Sequence, residues 1–163
     1  MGEERLKRGQ AVVIDMIVAT GIFILITVIL IISLNYYNQK LARDIEYNDM
    51  AQKSMFIADT LVFSPGIPYN WTTSNYVLPG LARDDRNLSY AKLLNFTNLT
   101  ADQIKDAFKI KSYNYTFAVR YQHNNSYVTR VGEFTDNYSL IASSRRTVTY
   151  GNETVYIDFS VWK

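Results

Sequence analysis

The chain has 163 residues, a formal net charge of +2 and no cysteine. From Glu46 onward 12 Lys/Arg face 11 Asp/Glu without a basic run, so there is no electrostatic footprint for nucleic acid. The missing cysteine removes a disulfide framework, a thiol nucleophile and a thiolate metal site.

Met16 to Leu34 reads MIVATGIFILITVILIISL, nineteen residues without a charge. As a helix it spans roughly 28 Å, close to the hydrocarbon thickness of a bilayer. A core helix of a soluble protein is the poorer reading, because a domain this small cannot surround such a helix on all sides. A cleaved secretory signal is also poorer. Its apolar stretch would be about 7–15 residues and followed by small residues, whereas Asn35-Tyr36-Tyr37-Asn38-Gln39-Lys40 follows here. Residues 10–35 are therefore expected as a retained transmembrane helix. Arg5, Lys7 and Arg8 precede it, Lys40 and Arg43 follow it, and a short basic N-terminus stays cytoplasmic.

Lys7-Arg8-Gly9-Gln10-Ala11-Val12-Val13-Ile14-Asp15 resembles the class III signal peptide of archaeal type IV pilins and pilin-like proteins. The resemblance implies that a prepilin peptidase recognises Lys7, Arg8 and Gly9 and cuts after Gly9. Residues 1–9 would be lost and Gln10 would become the first residue. Ala58 to Gly66, with Pro68 and Trp71, and the closing Val161-Trp162 also look like members of this group, more loosely. Many pilins carry an acid at the fifth mature position; here Asp15 is sixth, and becomes fifth only if the cut follows Gln10. Asp15 is the candidate assembly charge. An acid at the centre of a lipid-embedded helix costs about 2.5–3.5 kcal/mol. A unit charge pair at about 4 Å and an effective dielectric near 20 returns roughly 4 kcal/mol. Pairing with a neighbour's N-terminal amine would offset the cost. The plainer alternative is that Asp15, only about 7.5 Å along the helix from Gln10, reaches the interface.

Nothing breaks the helix at Leu34. Leu41, Ile45, Asn48, Ala51, Met55, Ala58 and Val62 recur at three- and four-residue spacings, and Met50, Ile57 and Leu61 widen the stripe. Residues 36–64 are thus expected as an amphipathic continuation, stopped by Ser64-Pro65-Gly66. From Ala11 to Phe63 the helix would run roughly 80 Å. A helix half in lipid and half on a sheet is the shape of a pilin; a plain juxtamembrane stalk is the alternative.

Residues 67–88 read as an irregular connection, with a type II turn at Pro79-Gly80 and a solvated loop at Asp84-Asp85-Arg86. Two short helices follow. Ser89 is the candidate cap of Tyr90 to Leu94, with Leu88 and Leu93 as staple. Thr100 and Gln103 form a capping box for a helix to about Lys109, with Leu99 and Ile104 as its staple.

The remainder, 113–163, is expected as a sheet. Tyr113, Tyr115, Phe117, Val119 and Tyr121 alternate with polar or small residues. Strands at about Tyr127 to Phe134, Leu140 to Tyr150 and Glu153 to Trp162 follow, with breaks at His123-Asn124-Asn125 and Thr135-Asp136-Asn137. Gly151-Asn152 is a two-residue hairpin signal. Val155, Ile157, Phe159 and Val161 are the inward face of the last strand. The expected class is α+β: a long N-terminal helix packed on a four-stranded antiparallel meander, with two short helices inserted before the sheet.

From Glu46 onward there are eight Asn-x-Ser/Thr triplets among eleven asparagines: Asn70, Asn87, Asn95, Asn98, Asn114, Asn124, Asn137 and Asn152. Chance gives roughly two, so the excess reads as an N-glycosylated exterior for residues 65–163. Asn114 is expected on the polar face of its strand, and Asn124 and Asn152 at hairpin tips.

Catalytic and cofactor patterns are lacking. His123 is the one histidine, in a turn. There is no H-E-x-x-H, no Gly-rich phosphate loop, and Asp84-Asp85 has no accompanying donors for a metal. Arg145 and Arg146 face opposite sides of their strand and make no phosphate fork. The expectation is a non-enzymatic pilin-like subunit without cofactor. Its partners are a bilayer, a prepilin peptidase, and copies of itself or other pilin-like subunits in a surface filament. The alternative is a monomeric membrane-anchored extracellular binding or sensor module.

Overall fold

A computed structural model describes residues 2–135 and 137–163, with side-chain surroundings from residue 13 onward. The chain divides into two compact units, one up to Ile45 and one from Glu46 to Lys163. Helix α1 (Gly2–Phe63) belongs to both. It begins earlier than the sequence suggests, because Glu3 to Arg8 is rich in good helix formers. It ends where expected, at the residue before Ser64-Pro65, with Gly66 at φ 90°.

In the second unit, α1 lies on a six-stranded sheet: β1 (Ala82–Asp84), β2 (Asn87–Leu88), β3 (Asn114–Tyr121), β4 (Tyr127–Gly132), β5 (Ile141–Tyr150) and β6 (Glu153–Trp162). Helices α2 (Tyr90–Thr97) and α3 (Ala101–Ala107) come between β2 and β3. The α+β class holds, but the sheet is neither four-stranded nor purely antiparallel, and it is not a meander. Its order is β1-β2-β5-β6-β3-β4, and β2 pairs with β5 in parallel at Asn87↔Thr149. Both expected hairpins, β3–β4 and β5–β6, are present. They join through β3 and β6, in eight antiparallel pairs from Asn114↔Trp162 to Tyr121↔Val155. The reason is hydrophobic. In β6, Val155, Ile157, Phe159 and Val161 have no exposed surface, so β6 takes a central place while the more polar β4 takes an edge.

The core comprises Met50, Ile57, Leu61, Phe96, Ile104, Phe117 and Val119 with the four inward residues of β6. Phe96 meets Phe117 edge-on at 4.8 Å, and Tyr115 stacks on Phe159 at 5.7 Å. The helix stripe is rotated from the expected one. Met50, Ser54, Ile57, Ala58, Leu61 and Val62 are buried, while Leu41, Ile45 and Met55 are exposed. Ser54 is tolerated there because its hydroxyl donates to the Phe159 carbonyl at 2.7 Å, which satisfies the buried polar group.

The connection after α1 is more ordered than its sequence implies. Trp71 is buried and its Nε1 donates to the Gly80 carbonyl at 2.8 Å. Gly80 is not at positive φ, so Pro79-Gly80 is not the expected type II turn. The glycine serves close approach instead: a Cβ there would collide with the Ser64 carbonyl oxygen and the Gly66 nitrogen. Residues 82–88, expected as loop, fold into β1 and β2 with a turn at Asp85-Arg86. Thr100 and Gln103 make both bonds of the capping box. Ser89 occupies the N-cap of α2, but its side chain makes no cap bond, and α2 runs three residues beyond Leu94.

Replacing Ile157 by Ala should cost about 2–5 kcal/mol of unfolding free energy, because a fully buried side chain is deleted from the central strand. Tyr115→Phe should stay within about 1 kcal/mol of the parent, since the buried Tyr115 hydroxyl has no hydrogen-bond partner among the described residues. Denaturant titration of the full chain in detergent measures both.

Candidate functional site

In the first unit the side chains from Met16 to Leu34 form an apolar surface without a charge. Val13, Ile14, Met16, Ile17, Val18 and the large residues from Ile22 to Leu34 are each about half exposed or more. One helix among the described residues is long and apolar enough to cross a membrane, and none of its most apolar window is buried within the chain. Its hydroxyls are satisfied internally. Thr20 Oγ1 donates to the Met16 carbonyl and Thr27 Oγ1 to the Phe23 carbonyl, each at 2.8 Å. Such bonds let polar side chains sit in an apolar medium at little cost. Asp15 is exposed at the edge of this surface. Lys7, Arg8, Gly9 and Gln10 fall in α1, but their side chains lie outside the described residues, as does Asp136.

In the second unit the eight sequon asparagines divide by environment. Asn70, Asn98, Asn124, Asn137 and Asn152 are exposed, and Asn87, Asn95 and Asn114 are half-buried. Asn95 Nδ2 donates to the Trp71 carbonyl at 3.3 Å, and Asn114 Oδ1 accepts from Lys105 Nζ at 2.8 Å. Asn124 and Asn152 lie in the turns between β3 and β4 and between β5 and β6, as expected. Asn124 Oδ1 accepts from the Ser126 amide at 2.9 Å, a turn-closing bond that leaves Nδ2 available.

Three charged clusters shape this unit. Asp49 on α1 accepts from Lys53 Nζ and from the Tyr113 hydroxyl, each at 2.7 Å. The Lys53 bond, then the Tyr113 bond, hold the carboxyl of Asp49 below its ordinary value of 3.8. Burial, reinforced by Asp49, pushes the Tyr113 phenol up to about 12. On the opposite face of the sheet Asp158 is bonded by both Arg120 and Arg145, while Arg146 reaches Asp59 of α1 at 2.6 Å. The two arginines thus face opposite sides of β5, as their spacing predicts.

Lys92 of α2 is buried, a feature that sequence reasoning missed. Its ammonium donates to the Pro65 carbonyl at 2.8 Å and the Ala82 carbonyl at 2.9 Å, over the Tyr69 ring. Burial lowers its pKa. The only signal was a lone lysine inside the apolar run of α2, and that pattern fits a solvated lysine equally well. This cation ties α2 to the connection after α1.

His123 is exposed in its turn, 3.8 Å from the Glu153 carboxylate. Among the described residues no group of three His, Cys, Asp or Glu is placed to hold a metal ion. Comparison of the sequence and structure with models of known families, with curated proteins and with solved structures finds no match.

The Asp49 geometry sets a pH dependence. Because its folded-state pKa lies below 3.8, its stabilising contribution is present above that value and is lost as pH falls through the folded value. Thermal unfolding from about pH 6 to about pH 3 should therefore show a shallower acid limb in Asp49→Asn than in the parent. Parallel profiles would contradict the assignment.

Proposed function

We propose that the chain is a pilin-like subunit, anchored by its apolar helix and assembled through it into a surface filament or complex, with residues 65–163 outside the cell. The reading is supported first by energetics. Met16 to Leu34 contains thirteen Leu, Ile, Val or Phe residues. At about 0.3–0.6 kcal/mol each on insertion scales, they favour the bilayer by an upper bound of roughly 4–8 kcal/mol. In water the same surface would drive aggregation.

The observation that carries the reading is continuity. One unbroken helix, Gly2–Phe63, supplies both the apolar span and, from Met50 to Val62, a core face of the sheet unit. A stalk needs no such shared element. Helix-to-helix packing of the span between copies would form the filament core. Asp15 would pair with a neighbour's N-terminal amine, and prepilin peptidase would release residues 1–9 after reading Lys7, Arg8 and Gly9. The five exposed sequon asparagines are the proposed glycan acceptors, and Asn95, whose Nδ2 is engaged by the Trp71 carbonyl, is the one proposed to stay bare.

A monomeric membrane-anchored sensor or binding module uses the same anchor and the same exposed sequons. It differs in keeping the leader and in leaving the span unpaired.

Intact-mass analysis of protein from its native membrane tests the first reading. The expected result is loss of Met1 to Gly9, with added sugar on the exposed sequons. An uncut N-terminus would overturn processing and leave the sensor reading in its place.

A further inference from the structure

At the junction of α3, β3 and the end of β4, three side chains of complementary chemistry converge. Lys105, in the last turn of α3, places Nζ 2.8 Å from Asn114 Oδ1, at the first residue of β3. Glu133, just past β4, holds its carboxylate 3.6 Å from the same ammonium. The Lys105 side chain keeps only 16% of its surface exposed, although it is a cation.

Backbone contacts anchor the segments that carry the three side chains. The Ile110 amide closes the end of α3 on the Lys105 carbonyl at 2.9 Å. Asn114 is in register with the buried Trp162 of β6. Glu133 is held from both sides: its amide donates to the Tyr115 carbonyl at 3.0 Å, and its carbonyl accepts from Thr116 Oγ1 at 2.8 Å. An amine, a carboxamide and a carboxyl group held together in this way are the parts of an amide-exchange reaction, in which proximity replaces a bimolecular encounter.

We infer that Lys105 and Asn114 are the partners of an intramolecular isopeptide bond, with Glu133 as the proton carrier of its formation. The Lys105 ammonium gives a proton to Glu133, and the resulting amine attacks Asn114 Cγ. Glu133, now the acid, protonates Oδ1 as the Nζ–Cγ bond forms and recovers a proton from Nζ. When the tetrahedral adduct collapses, the hydroxyl proton returns to Glu133 and a proton passes from Glu133 to Nδ2. The Cγ–Nδ2 bond breaks and ammonia departs, taking up the remaining proton as ammonium. The atoms balance without oxidant or co-reactant, and Glu133 ends as it began. General acid–base transfer of this kind requires a carboxyl group within hydrogen-bond reach or one water away, and the Glu133 carboxylate stands 3.6 Å from the Lys105 ammonium.

The bond would tether α3 to β3, closing a short loop around Phe108 and Ile110, both buried. It would also consume the nitrogen that a glycan needs, so Asn114 could be cross-linked or glycosylated but not both. The inference does not depend on a filament or a bilayer.

The test uses the full chain, made in a host that attaches no N-glycans and purified in detergent as a cooperatively unfolding sample. Residues 2–9 precede Gln10 in this sample, so Gln10 cannot cyclise with loss of the same mass. The expected result is an intact mass one ammonia below the sequence mass. Proteolysis should yield one branched peptide that fragments to a Lys105–Asn114 link. Lys105→Arg, Asn114→Ala and Glu133→Gln should each restore the uncross-linked mass. A parent chain at its full sequence mass, or an ammonia loss mapped elsewhere, would overturn the bond. A cross-link that persists in Glu133→Gln would overturn the role of Glu133.

Discussion

Apolar side chains covering every side of the segment from Met16 to Leu34 impose the constraint on which the functional reading rests. No face of this helix resembles the polar face of a helix that lies on a protein core, and Thr20 and Thr27 have turned their hydroxyls back onto their own backbone. Such a surface is at home in hydrocarbon, where an α-helix satisfies all its backbone groups within one segment. The proposed orientation rests in addition on the basic residues Arg5, Lys7 and Arg8 before the span, and the proposed leader processing on the resemblance carried by the stretch from Lys7 to Asp15.

The second unit obeys the ordinary rules of a soluble core. Its helix face, Met50 to Val62, alternates buried positions at three- and four-residue spacing against the inward residues of β3 and β6. Three polar intrusions are neutralised locally: Ser54 by a strand carbonyl, Lys92 by the Pro65 and Ala82 carbonyls, Asp158 by two arginines. The connection from Ser64 to Ala82 is held by Trp71, Lys92 and the isolated bridges Ile67↔Leu78 and Thr72↔Asn75 rather than by extended strands, which is why so much of it escapes a reading by periodicity.

Elements with strong local signals were legible in the sequence. The β3 and β6 alternation, the Thr100–Gln103 box, the Gly151-Asn152 hairpin and the helix stop at Ser64-Pro65 all depend on contacts a few residues apart. Strand order was not legible, because periodicity marks which residues face inward but not which strand lies alongside. The joining of the two hairpins through β3 and β6 is a long-range choice made by the most apolar strand. The rotated stripe on α1 has a similar origin. Leu41, Ile45 and Met55 fit the spacing as well as Met50, Ile57 and Leu61 do, and only the position of the sheet separates the two sets. The apolar span was plain from composition alone. By contrast, Lys105, Asn114 and Glu133 are far enough apart in the chain that no motif connects them, and they meet only through the fold.

Protease treatment of intact cells, followed by detection of fragments, addresses the placement of the second unit most directly. Digestion of residues beyond about Lys40, with the apolar segment left protected in the membrane fraction, is the expected result. Complete protection of Glu46–Lys163 on intact cells, relieved only when the membrane is broken, would put that unit in the cytosol and contradict the proposed function.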